Sequence, residues 1–427
     1  MLICSLKNHL KFIAKGINYY LRNIPKIIPR KKNKWVFGEI NKFRDNPKYL
    51  FYSINRTNPE INAIWIARDK EDVKHLKNLG YKAYYWSTPI ALYHCATSKV
   101  WIAGHSVSNI NPFLSGGAFF VNLWHGVSLK SVNWQAPNYY MQKYGLKNKA
   151  EMRTSIPFRI NEYIGMFRRP DLVLAPSQKQ KELFFAEMFD VPLDRCVVGV
   201  YPRSKFLIEG KQAALEFIKE KEPSETLDFI NKMRAFDTVY IYMPTYRNDK
   251  RDFIQQAGID WEKLNAVLQK KNALFILKFH PNTHLCIEGI SHYSNICFYP
   301  SQSDIYTVLP FTDVLITDYS SVYSDFLMMK KEIILFTFDY DEYVENCNEL
   351  KDYDKYYIGK RANDFSHLLN IISSNEDCHV SQEEYARLME FFWSNNKSDL
   401  NIVEEVKRRI LFSSNIECKP NNLEQGT

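Results

Sequence analysis

Short apolar runs alternate with segments of helical spacing along most of this chain. Trp35 to Phe37, Ala63 to Ala67, Ala83 to Trp86, Val100 to Ala103, Phe119 to Trp124 and Leu172 to Ala175 read as buried strands, separated by amphipathic or turn-rich stretches. A charged segment from about Glu209 to Arg234 interrupts the pattern, which resumes with Thr238 to Met243, Leu274 to Phe279, Ile296 to Phe298, Val314 to Thr317 and Ile333 to Phe336. Uninterrupted apolar strands between helices predict parallel sheets covered on both faces. The pattern predicts two α/β domains joined near residues 200 to 210. A last helical stretch, about Gln382 to Phe412, is long enough to pack back across the join.

The first residues follow a different rule. Leu6, Leu10, Ile13, Ile17, Leu21 and Ile24 recur at steps of three and four, and Pro25 and Pro29 end the pattern. Residues 1–34 hold nine basic side chains and no acidic one; with a net charge of +8 over the 427 residues, the rest of the chain is close to neutral. This head is expected to form a basic amphipathic helix on an anionic membrane surface, or else a first helix packed on the body. It lacks the length of uncharged apolar residues that a membrane span needs and the h-region and cleavage site of a signal peptide. A neutral body offers no basic stripe for nucleic acid, so no nucleic-acid partner is expected.

Composition narrows the classes further. At 45% hydrophobic and 24% charged residues the chain is globular and long enough for two or three domains. Eight scattered cysteines without a CxxC pair fit a reducing compartment. His280 and His284 have HxxxH spacing, but Pro281 opposes the helix that would align them, so no metal site is expected. The Asp339 to Asp341 and Asp352 to Asp354 triplets read as solvated acidic segments rather than chelators. No P-loop, GxGxxG or GxSxG signature is present, which argues against nucleotide hydrolysis, simple dinucleotide redox and α/β-hydrolase chemistry.

In doubly wound sheets ligands lie beyond the carboxyl ends of the strands. Four strand ends carry chemistry: His125-Gly126, Pro244-Thr245-Tyr246-Arg247, His280-Pro281 and Asp318-Tyr319-Ser320-Ser321. The last runs through a cap into a helix, an arrangement that suits an anion, with Asp325 four residues past Ser321 and able to accept from a substrate hydroxyl. Arg203 and Arg247 are candidate phosphate clamps through their forked donors, with surface ion pairing as the alternative. His125 and His280 come one from each expected domain, and a neutral imidazole suits deprotonation of a hydroxyl.

Read together, Asn122-Leu-Trp-His-Gly-Val-Ser-Leu-Lys130, Val200-Tyr-Pro-Arg203, Tyr242-Met-Pro-Thr-Tyr-Arg247, Lys278-Phe-His-Pro281 and Ile316-Thr-Asp-Tyr-Ser-Ser-Val-Tyr-Ser-Asp-Phe326 resemble, in order and spacing, the CDP-glycerol glycerophosphotransferase family that builds teichoic acids and related capsule polymers. The likeness spans roughly residues 35 to 345 and includes Asp45-Asn-Pro-Lys48 and Ala96-Thr-Ser-Lys99. It implies a GT-B-like α/β fold with two facing Rossmann-like domains. The expected division is a membrane-surface helix over 1–34, an acceptor domain over 35–205, a CDP-donor domain over 206–412 and a polar tail over 413–427.

The resemblance also implies transfer of glycerol phosphate from CDP-glycerol to a hydroxyl of a lipid-linked or polymeric acceptor, with release of CMP. His125 and His280 would be the catalytic pair. Gly126, Val127, Ser128, Arg203, Pro244, Thr245, Lys278, Ser320, Ser321 and Asp325 would hold the donor, and Arg247 and Asp318 complete the expected substrate-binding set. The implied place of action is the cytoplasmic face of a bacterial plasma membrane, as a peripheral protein, with no cofactor. After Asp339 to Tyr343 the chain continues Val-Glu-Asn-Cys-Asn-Glu where family members commonly carry an Arg-Gly segment, so ribitol or another polyol stays open. A GT-B glycosyltransferase using a nucleotide sugar and a catalytically silent membrane-bound scaffold are the other readings.

Overall fold

The computed structural model describes residues 25–40, 42–127, 141, 145–155, 168–247, 252–280, 283, 290–347, 353–374, 381–394 and 400–417. The helix expected over residues 6 to 24, Ser128, His284 and most of the polar tail lie outside them.

Two parallel sheets organise the chain. The first holds β1 (Lys31–Gly38), β2 (Asn62–Ala67), β3 (Ala83–Tyr85), β4 (Ser98–Ala103), β5 (Phe119–Asn122), β6 (Leu172–Ala175) and β7 (Cys196–Val198), in the order β3-β2-β1-β4-β5-β6-β7. The second holds β8 (Thr238–Tyr242), β9 (Ala273–Leu277), β10 (Ile296–Phe298), β11 (Val314–Thr317), β12 (Glu332–Phe336) and β13 (Lys360–Ala362), in the order β10-β9-β8-β11-β12-β13. Strand order reverses between β1 and β4 in one sheet and between β8 and β11 in the other. Such reversals open a crevice at the carboxyl ends of the strands. The central strands are apolar throughout because helices cover both faces; all five residues of β9 are buried.

Two expectations need correction at the edges. β1 begins at Lys31, inside the segment assigned to the basic head, and Arg30 and Lys34 serve the domain rather than a membrane. The Arg30 guanidinium donates to the carbonyls of Cys95 (3.0 Å), Ser98 (2.6 Å) and Leu114 (2.7 Å), and Lys34 Nζ to Thr97 Oγ1 (2.6 Å). The charged stretch after the join forms two helices, Lys211–Lys221 and Ser224–Met233, that lead into β8. At the far end the helix Ile402–Glu417 runs into the expected tail.

The sheets are tied together by buried charge and by the C-terminal helices. Lys48, in the helix Asp45–Thr57, forms ion pairs with Glu222 and, at 3.2 Å, with Asp304. The helix Gln382–Trp393 rests on both halves: Ser177 Oγ donates to the Phe391 carbonyl (2.6 Å), and Trp393 Nε1 donates to the Ser324 carbonyl (2.7 Å). Arg409 then reaches the Asp194 carbonyl at 2.6 Å. The C-terminal stretch therefore does pack back across the join, as two helices rather than one.

Candidate active site

β5 stops at Asn122, and the chain turns sharply. Trp124 takes a left-handed backbone conformation, φ 52°, which a large side chain adopts only where its surroundings hold it. The Asn122 side chain is one such hold, since its Oδ1 accepts from Trp124 N at 2.8 Å. Asn46 is another, its amide donating to the Leu123 and Trp124 carbonyls at 3.3 and 2.8 Å. The turn delivers His125 to the face between the sheets. Gly126 follows because a Cβ there would stand 3.1 Å from Ser321 Oγ of the other domain.

The cleft so formed has a volume of about 280 Å³. His125, Gly126 and Val127 line it from the first domain; Pro244, Thr245, His280, Ser320 and Ser321 line it from the second. Two domains thus bring together eight of the fourteen residues singled out from sequence. Tyr323, Tyr357 and Phe392 add an aromatic wall that local patterning did not reveal. A larger cavity, about 780 Å³, lies away from these residues between the helices Asp45–Thr57 and Lys211–Lys221 and gathers none of the motif residues except Tyr201 and its neighbours.

Both imidazoles keep solvent access through the cleft, yet protein from both domains crowds their other sides. Burial is the largest influence and lowers the pKa of each below the ordinary 6.5. Arg203 and Arg44 lower His125 further, against Asp45 and the Gly104 carbonyl; Arg44, Lys278 and His125 itself lower His280. Both rings are therefore neutral near pH 7, the state in which a histidine accepts a proton. The Tyr246 ring lies 5.3 Å from the His280 ring. Trp124 and His105 flank His125, at 4.1 and 5.8 Å between ring centres.

The charged residues expected to clamp phosphate are otherwise employed. Arg203 is buried and donates to both carboxylate oxygens of Asp325 (3.1 and 2.9 Å), to Asp45 (2.9 Å) and to the His125 carbonyl (2.6 Å). Arg247 is buried between Asp318 (2.9 Å) and Asp339 (2.8 and 3.0 Å). Lys278 Nζ donates to the Pro300 and Ser301 carbonyls at 3.0 and 2.6 Å, and burial, then Arg44, pushes its pKa down to about 8. Arg203, Arg247, Lys278, Asp318 and Asp325 therefore build the walls and do not line the cleft. Asp339, engaged on both oxygens by Arg247, is a structural anion rather than part of a solvated segment.

The serine cap also differs from expectation. The helix after Ser321, Val322–Leu327, is only six residues long, and Ser321 makes no side-chain capping bond. The amides of Tyr323 and Ser324 already donate to the Ser320 and Ser321 carbonyls at 3.2 and 3.1 Å. What faces the cleft from this turn is a pair of hydroxyl-bearing residues rather than a free helix end. Among the described residues near the cleft, the cation without an ion pair or hydrogen bond is Arg44, whose charge acts on His125, His280 and Lys278 alike.

Two neutral imidazoles facing one cleft from separate domains, with serines beside them, suit proton removal from a hydroxyl next to a bound phosphate. The family model described as CDP-Glycerol:Poly(glycerophosphate) glycerophosphotransferase matches residues 21–411. The chain belongs to this family. The teichoic acid poly(ribitol-phosphate) polymerase of Bacillus spizizenii is 23% identical over 408 residues, 93% of this chain and 60% of that protein. The teichoic acid poly(glycerol phosphate) polymerase of the same organism is 25% identical over 343 residues, 75% of this chain and 77% of that protein. This chain thus spans less than two thirds of the first relative and about three quarters of the second. In fold it is similar to the wall teichoic acid polymerase TagF, with a TM-score of 0.73, 19% identity and coverage of 96% of this chain and 98% of that one. The fold is GT-B-like.

Proposed function

We propose that this protein transfers a polyol phosphate from a CDP-linked donor to a hydroxyl of a teichoic-acid-like polymer and releases CMP. Glycerol phosphate from CDP-glycerol is the first candidate. The observation that carries the reading is the pairing of neutral His125 and His280 across one cleft between two Rossmann-like domains. Family membership supplies the chemistry: relatives in it are named as polymerases of glycerol phosphate and of ribitol phosphate.

In this reading the acceptor hydroxyl gives its proton to His125 as its oxygen attacks the β-phosphorus. The bond from that phosphorus to the oxygen bridging it to the α-phosphate breaks, and CMP departs with the bridging oxygen. His280 donates a hydrogen bond to the departing oxygen, and Ser320, Ser321 and Arg44 meet the charge on the equatorial oxygens. Positioning and fixed dipoles carry most of the catalysis of phosphoryl transfer, and no step here calls on a metal ion. The buried Arg203–Asp325 pair joins the two sides of the cleft, and the Arg247–Asp318–Asp339 cluster braces the second domain's side.

The acceptor is expected at a membrane, and residues 1–24 supply the attachment. Four of the nine cations of the head, Lys7, Lys11, Lys15 and Arg22, lie in them. Among the described residues no helix is long and apolar enough to cross a membrane. CDP-ribitol is the second reading, since ribitol-phosphate and glycerol-phosphate polymerases are similar to this chain at nearly equal identity. CMP release from CDP-glycerol, CDP-ribitol and a set of nucleotide sugars, each with a teichoic-acid acceptor, separates these. Release from a CDP-polyol alone supports the proposal; release only from a nucleotide sugar replaces it with glycosyl transfer.

A further inference from the structure

β4 ends beside β5, and its end carries a third histidine. Ala103 pairs with Asn122, and Leu123 N donates to the Ala103 carbonyl at 2.9 Å, so the Gly104-His105 turn lies at the level of Trp124 and His125. One side chain binds both turns: Asn122 Oδ1 accepts from Trp124 N, and Asn122 Nδ2 donates to the His105 carbonyl at 2.7 Å. Two adjacent strand ends are in this way locked to each other. The His105 ring is then stacked against the Trp124 ring at 5.4 Å and 25° and against the His125 ring at 5.8 Å and 24°.

The turn is held from its other side by Glu39, which follows β1. Glu39 is buried, and its Oε1 accepts from Asn109 Nδ2 at 2.6 Å and from Ile40 N at 2.9 Å. Its other oxygen sits where a Cβ on residue 104 would have to go, so a side chain there would displace the Glu39 carboxylate. The Gly104 carbonyl lies close enough to the His125 imidazole to favour its N–H form. A histidine with one nitrogen turned to a backbone carbonyl presents the other as a base, so the orientation of this ring governs its tautomer.

His105 does not line the cleft. Burial, with His125 beside it, lowers its pKa to about 4, so it remains an uncharged, flat surface through the neutral range. A ring free to turn about its χ2 angle loses the alignment that proton transfer needs, and small displacements of a reacting group can lower rates by about a hundredfold. A flat neighbour on the ring face restricts that rotation; the Trp124 ring is tilted by 36° to His125, whereas the His105 ring lies within 24° of parallel.

We propose that His105 is a positioning residue for His125. Its ring, seated by Glu39, Gly104 and Asn122, keeps one His125 nitrogen on the Gly104 carbonyl and turns the other into the cleft. The inference rests on reading His125 as the base, and its test includes a measurement that needs no substrate. His105→Phe keeps a flat ring, whereas His105→Leu fills similar space without one, so the comparison separates ring stacking from packing. In the full chain, His105→Phe is expected to keep kcat for CMP release within about threefold of the native protein, and His105→Leu to lose about tenfold or more, with the donor KM little changed in both.

The ring nitrogens of ¹⁵N-histidine-labelled protein, with His125 assigned from the signal lost in His125→Gln, report the tautomer directly. The native protein and His105→Phe are expected to show one His125 tautomer, and His105→Leu a mixture. Equal kcat and a single tautomer in both variants would overturn the proposal. If the native protein releases no CMP from any CDP-polyol while the tautomer differs as expected, the transfer reading fails and the positioning role of His105 stands.

Discussion

Arg203 and Asp325 lie 122 positions apart on opposite sides of the cleft and form a two-pronged ion pair, at 3.1 and 2.9 Å, with both side chains almost wholly out of solvent. The Tyr306 hydroxyl donates to the same carboxylate at 2.9 Å, and its ring lies 4.4 Å from the guanidinium carbon. Since Arg203 also donates to the His125 carbonyl, the pair links the domain contact to the backbone of His125. Removing one partner leaves a buried charge without compensation. Arg203→Met is expected to destabilise the protein by roughly 3–5 kcal/mol, and Arg203→Met with Asp325→Leu to recover much of that loss, because buried ion pairs and apolar replacements of similar volume have comparable net worth. Urea unfolding of the two variants checks this; equal stability of the single and double variants would contradict it.

Arg44 precedes the helix Asp45–Thr57, two positions before Asn46, which holds the Trp124 carbonyl. With Arg203, Arg247 and Lys278 all engaged elsewhere, it is, among the described residues near the cleft, the cation proposed to meet substrate phosphate. Arg44→Gln should reduce kcat/KM for CMP release by about tenfold, equivalent to about 1.4 kcal/mol of transition-state stabilisation, while leaving thermal stability close to native. Unchanged kcat/KM would remove Arg44 from the site.

The pH dependence has a defined sign. Burial lowers the pKa of His125 and His280 below 6.5, so both remain unprotonated to lower pH than a free histidine does. The acid limb of kcat/KM, which reports the free enzyme, should therefore fall below pH 6.5. Arg44 contributes to lowering both groups, so Arg44→Gln should move that limb upward, toward 6.5. A limb above 6.5 in the native protein, or one moved downward by the substitution, would contradict the assignment.

Residues 1–24 can be separated experimentally from Arg30, whose bonds to the Cys95, Ser98 and Leu114 carbonyls belong to the first domain. Deletion of residues 1–24 is expected to abolish sedimentation with vesicles rich in phosphatidylglycerol while leaving thermal stability near native. Binding by the full chain should weaken as salt is raised. Undiminished vesicle binding after the deletion would place the membrane contact on the body.

Much of this architecture could be read in the sequence because parallel strands covered on both faces are simply apolar runs. The central strands around Val36, Ile102, Ile241, Phe275 and Ile316 announce themselves in that way. β13 does not, since Lys360-Arg361-Ala362 carries one apolar side chain, whereas the equally short edge strands β3 and β10 are legible because theirs are mostly apolar; β7, Cys196-Val197-Val198, is apolar too but lies outside the strands read from the sequence. The strand-end rule found His125 and His280, and applied to β4 it would have found His105 as well. What no local pattern carries is partnership. Arg203 and Arg247 look like phosphate clamps until Asp325, Asp318 and Asp339 are seen to meet them from distant parts of the chain.

The central claim is that His125 removes the proton from an acceptor hydroxyl that attacks a CDP-linked polyol phosphate. The most direct test is CMP release from CDP-glycerol and from CDP-ribitol in the presence of a teichoic-acid acceptor, with the native chain and His125→Ala side by side and CDP affinity measured for both. The account predicts acceptor-dependent CMP release by the native chain with at least one donor, loss of about a hundredfold or more in His125→Ala, in keeping with the contribution of a general base, and similar CDP affinity in both. Native-like turnover by His125→Ala would contradict it.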